Sequence, residues 1–197
     1  MIFRETSLKG AFTIELEPHH DERGQFVRTW CQDEFRRHGI DMAFAQAAAS
    51  INTERGTLRG LHWQAPPHQE AKLVRCVRGG IYDVIIDLQP QSPTFGQWLG
   101  VTLTGGSQLM LFIPRGFAHG FQTLVDDTEV SYQLSAEHAP ASGRGLRYDD
   151  PALAIDWPLP VSRISERDRS WPLLHGKDGR KAGSAWADLK SGLSPAG

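Results

Sequence analysis

An arginine and a histidine stand three residues apart in Arg59-Gly60-Leu61-His62. They sit late in an extended-looking stretch that begins at Thr57 and runs into the proline-broken loop Ala65-Pro66-Pro67. Imidazole changes charge near neutral pH and so suits proton transfer. Guanidinium stays charged there and grips phosphate or carboxylate with paired donors. Together the two suit a site that moves a proton on a charged metabolite. The plainer alternative, a core histidine beside a surface arginine, stays open on this stretch alone. Further along, Lys72, His119 and Tyr132 occur in apolar surroundings. Strand alternation places Lys72 with Val74 and Cys76, His119 with Phe117 and Phe121, and Tyr132 with Val130 and Leu134. If those are the inward faces, an apolar interior holds two histidines, a tyrosine and a lysine, the ordinary make-up of a binding pocket. The lysine is the informative member, because a buried ammonium without a partner is costly. Lys72 therefore either points outward or faces an anion.

The elements that must position these side chains read mostly as strands. Residues 72–78 and 81–88 alternate about Gly79-Gly80, which predicts a hairpin. Strands are predicted near 11–16, 25–30, 43–50, 57–64, 96–103, 108–113, 117–124 and 128–134. Turn signals fall at Pro18–Gly24, Gln89–Pro93, Gly105-Gly106 and Pro114-Arg115-Gly116. The order Asp33-Glu34 before Arg36-Arg37, then Gly39, complements a helix dipole and predicts a short helix. Strands at roughly ten-residue spacing without long amphipathic helices predict an all-β sandwich or barrel. After residue 135 the alternation ends, and loops wrapped on the sheets are expected. Ser165 can cap a turn of helix there, and residues 175–197 read as a partly disordered tail.

Composition narrows the partners. Twenty-one basic and 23 acidic residues give a net charge of −2, so no global field favours nucleic acid or an anionic membrane. No apolar run is long enough to span a bilayer. Met1-Ile2-Phe3-Arg4 leads into polar sequence, so no secretory signal is expected and the cytoplasm is the expected compartment. Cys31 and Cys76 lie in unrelated contexts, as reduced thiols would. His19 and His20 read as solvated loop residues, and no metal site is expected.

With these residues assembled, the sequence strongly resembles the dTDP-4-dehydrorhamnose 3,5-epimerase family, a cupin (jelly-roll) group. The likeness runs from about residue 2 to 174. It rests on Arg23-Gly24-Gln25-Phe26, Leu58–Gln64, Lys72-Leu73-Val74-Arg75 with Arg78-Gly79, and Ser92–Gly96. It continues through Ile113–Phe121, Asp149-Asp150-Pro151 and Ile155-Asp156-Trp157-Pro158. The resemblance implies a single all-β cupin-type domain over 1–174 that epimerises a nucleotide-linked 4-keto-6-deoxyhexose at C3, C5 or both, in deoxysugar biosynthesis, with no cofactor. His62 matches the family's base, Asp168 the carboxylate that orients it, Lys72 the enolate partner and Tyr132 the acid on the opposite face. His119 matches a position near the sugar, and Arg59 a pyrophosphate clamp. Arg23 matches a clamp reaching in from the partner of a homodimer built by N-terminal strand exchange. Phe26, Gln46, His138 and Arg167 fall at further substrate-binding positions. The second cupin motif is present in Pro114–His119, but His62 is followed by Trp63-Gln64, so the paired histidines of metal cupins are missing.

Several recognition positions depart from the family pattern. Arg28 stands at a commonly acidic position, and Gln46-Ala47-Ala48 replaces a Gln-Asp-Asn type sequence. His138 replaces a tyrosine, Gly143 a glutamate and Arg167 a lysine. The proton-transfer set is unchanged. A nucleotide sugar is therefore the expected partner, dTDP-linked first, with another nucleobase open. A ketoisomerase on the same fold and a non-catalytic sugar-nucleotide binder are the competing readings.

Overall fold

The computed structural model describes residues 1–174, and the expected tail at 175–197 lies outside them. The alternating run 72–88 forms its hairpin, with β-branched and aliphatic residues on both strands. In chain order the strands are β1 (Ile2–Glu5), β2 (Phe12–Glu15), β3 (His19–Asp21), β4 (Gly24–Phe26), β5 (Gln46–Asn52), β6 (Leu58–Gln64) and β7 (Lys72–Arg78). They continue as β8 (Gly80–Asp87), β9 (Trp98–Thr104), β10 (Leu109–Ile113), β11 (Phe117–Thr123), β12 (Thr128–Leu134) and β13 (Gly143–Gly145). Two short helices, α1 (Gln32–Arg37) and α2 (Glu166–Ser170), complete the described elements.

A six-stranded sheet has the order β1-β2-β10-β7-β12-β5, and a five-stranded sheet the order β13-β6-β11-β8-β9. All pairs in both sheets are antiparallel. Among the described residues neither sheet closes on itself, so the architecture is the sandwich form of the expected jelly roll, not a closed barrel. The shared core draws Val74, Leu111 and Val130 from the first sheet and Ile81, Ile85, Phe117 and Phe121 from the second. This agrees with the alternation read from sequence and fixes Lys72, His119 and Tyr132 on inward faces.

The outer faces are covered as well. Against the five-stranded sheet, Leu146, Leu153, Ile155 and Trp157 pack on Leu61, Val84 and Ile86. That is the wrapping expected after residue 135, and it explains why β8 is buried along nearly its whole length. Against the six-stranded sheet, α1 inserts Phe35 beside Leu73, Met110 and Phe112.

Two local expectations need correction. The strand expected over 25–30 ends at Phe26. Val27 and Trp30 turn inward to the α1 cluster instead, with the Trp30 ring 4.0 Å from Phe35 and 4.4 Å from Phe44. Burial of an aromatic pair outweighs the weak strand preference of so short a segment. Conversely, β13 forms in Gly-Arg-Gly, which carries no strand signal. Its pairing with β6, including Gly145 opposite His62, is supplied by the waiting edge of that strand.

Candidate active site

His62 is delivered by β6 and His119 by β11, directly opposite each other in the ladder. The approach of these two strands depends on glycine. Gly60 has φ +105°, and a Cβ there would lie 2.6 Å from Gly120 Cα and 2.7 Å from the His119 carbonyl oxygen. Its N–H donates to Asp168 Oδ2 at 3.1 Å. Gly60→Ala is therefore expected to destabilise the fold by about 2–4 kcal/mol, from strain plus overpacking. It should also depress turnover by loosening Asp168. Thermal unfolding and kcat measured on the same preparation check both effects.

Asp168 is brought to His62 by α2. The Ser165 hydroxyl caps this helix by accepting from the Asp168 N–H at 3.1 Å, which is the capping expected from sequence. Asp168 Oδ1 then lies 2.5 Å from His62 Nε2. The carboxylate is 4% exposed, while the imidazole side chain is 41% exposed and free to meet a ligand. Burial works to raise the Asp168 pKa. The His62 hydrogen bond and charge, the Gly60 N–H and the Ser165 hydroxyl outweigh it and hold the carboxyl below its ordinary range. Its contribution to folded stability is thus present above the ordinary carboxylate pKa and is lost as pH falls through the depressed folded value.

These groups open onto a cavity of about 700 Å³ between the sheets. Arg59, His62 and His119 line it from the five-stranded sheet, Lys72 and Tyr132 from the six-stranded sheet, and Arg167 and Asp168 from α2. Seven of the residues singled out in the sequence are thereby brought together. Arg59 Nε donates to Asn52 Oδ1 at 2.7 Å, which fixes the base of its side chain. The Arg167 guanidinium lies 5.4 Å from the Trp171 ring centroid. Tyr132 meets the His119 ring edge-on at 6.1 Å. Burial, reinforced by the Asp83 charge and only partly offset by Arg59, pushes the phenol pKa well above its ordinary value. Tyr132 therefore keeps its proton at neutral pH.

Four of the expected residues lie elsewhere. Arg23 and Phe26 occupy the projecting β3–β4 hairpin, where Arg23 pairs with Asp21 at 2.6 Å and Phe26 is 71% exposed. Gln46 pairs with Leu134 at the start of β5, and His138 is exposed in the loop after β12. None of the four lines the cavity within the single chain. The position matched to Gln46 stays on the sheet edge because β5 begins there. The loop after β12 is held by Gln64 at Glu137 and Ala139, which leaves the intervening imidazole outside.

Two acidic residues escape a reading of the sequence. Asp83, fully buried, receives His119 Nε2 at 2.7 Å. Its signal is a carboxylate sharing the inward parity of Ile81 and Ile85. Glu70 reaches Lys72 Nζ at 3.2 Å. It precedes the strand, where alternation gives no guidance. Burial pushes the Cys76 thiol up to about 11, so it stays protonated at neutral pH. Among the described residues no group of three or more His, Cys, Asp or Glu is placed to hold a metal, and no helix is long and apolar enough to cross a membrane.

Comparison with known proteins gives concordant matches. A sequence model of the dTDP-4-dehydrorhamnose 3,5-epimerase family matches residues 5–176. The dTDP-4-dehydrorhamnose 3,5-epimerase of Methanothermobacter thermautotrophicus is 44% identical over 175 residues, covering 87% of this chain and 94% of that one. The crystal structure of the dTDP-4-dehydrorhamnose 3,5-epimerase from Bacillus anthracis, with TDP and PPi bound, superposes with a TM-score of 0.84 at 38% identity. It covers 87% of this chain and 98% of its own. The dTDP-6-deoxy-D-glucose-3,5-epimerase from Legionella pneumophila, in complex with dTDP-4-keto-L-rhamnose, gives a TM-score of 0.82 at 36% identity, with 87% and 92% covered.

Proposed function

The chain belongs to the dTDP-4-dehydrorhamnose 3,5-epimerase family, and from that premise we propose that it inverts a nucleotide-linked 4-keto-6-deoxyhexose beside its ketone, at C3 and C5. The observation that carries this reading is the placement of two proton carriers on opposing walls. His62, with Asp168 behind it, comes from one sheet, and Tyr132 comes from the other. Inversion needs a proton removed from one face of a carbon and returned to the other. A ketoisomerase has no such requirement.

The C4 ketone acidifies the hydrogens on its neighbouring carbons. His62 removes one of them, and the ionised Asp168 orients the imidazole and stabilises its charged form. Negative charge then develops on the C4 oxygen. Lys72, on the cavity wall and largely sheltered from water, is the cation placed to meet it. Tyr132 gives a proton to the far face. Arg59 and Arg167 supply positive charge for the pyrophosphate. His119, fixed by Asp83, presents its ring beside Tyr132 and toward the sugar. The projecting hairpin suits a homodimer in which Arg23 and Phe26 complete the partner's site, with β1 adding to the partner's sheet. His138 and Gln46 belong to the nucleotide-recognition surroundings in that assembly. The departures from the family pattern at His138 and at Ala47-Ala48, beside Gln46, make the nucleobase preference a matter for measurement.

The test is isotope exchange in deuterium oxide. With dTDP-4-keto-6-deoxy-D-glucose the protein is expected to incorporate solvent deuterium at C3 and C5 and to yield the inverted sugar. The CDP- and GDP-linked sugars are the comparison. Faster turnover of either would move the preferred base away from dTDP, and exchange without inversion on all three would refute the epimerase reading.

A further inference from the structure

Lys72 lines the cavity with only a tenth of its side chain exposed, on a strand whose register neighbours are Leu134 and Ile113. A cation so sheltered from water is costly without a partner, so a resident anion is needed beside it. The cavity's own carboxylate, Asp168, is engaged by His62, and Asp83 behind the wall is engaged by His119. Tyr132 keeps its proton, and the arginines bring further positive charge. Glu70 fills the gap. Its Oε1 is 3.2 Å from Lys72 Nζ, its side chain is 11% exposed, and it stands behind the lysine without lining the cavity.

The carboxylate is itself held in place. Gln64 Nε2 approaches Glu70 Oε2 at 3.3 Å, and the same amide donates to the carbonyls of His68 at 2.9 Å and Glu137 at 3.1 Å. Gln64 Oε1 accepts from the Ala139 N–H at 2.6 Å. Gln64 is 4% exposed and ends the same strand that carries His62. The lysine's counter-ion is thus anchored to the strand of the base and to the loop after β12.

We propose that Glu70 is a positioning residue, the counter-ion that holds Lys72 charged and aimed into the cavity when the enolate forms. This rests on Lys72 acting as the enolate's partner. In the substrate-free site the ammonium and Glu70 form a neutral pair. As the C4 oxygen gains charge, the ammonium is shared between it and Glu70, and no proton need be drawn from solvent.

The experiment follows the alkaline limb of kcat/KM for dTDP-4-keto-6-deoxy-D-glucose in wild type, Glu70→Gln and Glu70→Asp, from about pH 6 to about pH 10. The glutamine is isosteric and can still accept from Gln64, so the fold is retained. With the charge gone, the limb is expected to move down by about one pH unit or more while activity at the acidic end falls only severalfold. Aspartate keeps the charge and should hold the limb near its wild-type position. An unmoved limb in Glu70→Gln, or an equal displacement in Glu70→Asp, overturns the proposal. Lys72→Ala is run beside them: full turnover in that variant refutes the role of Lys72 itself, a different outcome from a silent Glu70→Gln.

Discussion

His62→Ala is expected to abolish deuterium wash-in at both C3 and C5 and to lower turnover by about a thousandfold or more, the usual scale for loss of a positioned base. That corresponds to about 4 kcal/mol of transition-state stabilisation. The expectation follows from geometry. Among the described residues no other imidazole on the same wall is as accessible: His119 is held by Asp83 at 2.7 Å and is 5% exposed, whereas His62 lines the cavity with its side chain 41% exposed. Asp168→Asn separates the two parts of the dyad. The amide has the same shape and keeps the cap to Ser165, but removes the negative charge that steadies imidazolium. The loss should reach about a hundredfold or more, with KM little changed, because Asp168 is only 4% exposed and is bonded to His62. Exchange rates read by proton NMR, with circular dichroism to confirm folding, settle both variants. Wild-type exchange in His62→Ala would place the base elsewhere.

Much of this site is legible in the sequence because parity is a strong signal in antiparallel sheets. Lys72, His119 and Tyr132 fall on inward faces by their apolar neighbours two residues away, and the shared core contains Val74, Phe117, Phe121 and Val130 among them. What parity cannot do is bring separate strands into register. That His62 stands opposite His119, and that Asp168 arrives from more than a hundred residues away, depends on a β6–β11 pairing that only the fold supplies. Family resemblance bridges that gap for Asp168.

The residues that escape the sequence do so for the same reason. Glu70 lies just before β7, where no periodicity assigns a direction, and its meaning comes from Gln64 and the loop after β12 closing over it. Asp83 carries a usable signal, a carboxylate among inward aliphatics, but its partner lies on the adjacent strand. The strand expected at 25–30 fails because Trp30 has a better use against Phe35 and Phe44. Burial of a large ring overrides a local pattern too short to hold its own strand. Arg23 and Phe26 mark the converse limit. Phe26 is 71% exposed in the single chain, and only the proposed homodimer would give that hairpin a part in the site.

Tyr132→Phe distinguishes the proton removed from the proton returned. The substitution deletes one oxygen from a packed position, so the ring can stay against Val130 and His119 and the fold should lose little. The base on the opposite sheet is untouched. Abstraction and return from the His62 face therefore continue, and solvent deuterium should still enter the substrate. Inversion should not follow, because the acid on the other face is gone. Net epimerisation is expected to fall by about a hundredfold to ten-thousandfold while exchange falls far less. The ratio of exchange to inversion is the quantity to measure, since it is insensitive to a general loss of active protein. A binder without catalysis shows neither process in wild type or variant, and a ketoisomerase shows no dependence of its product on Tyr132. Equal losses of exchange and inversion would mean that Tyr132 acts before the enolate forms, and the division of labour between the two sheets would have to be abandoned.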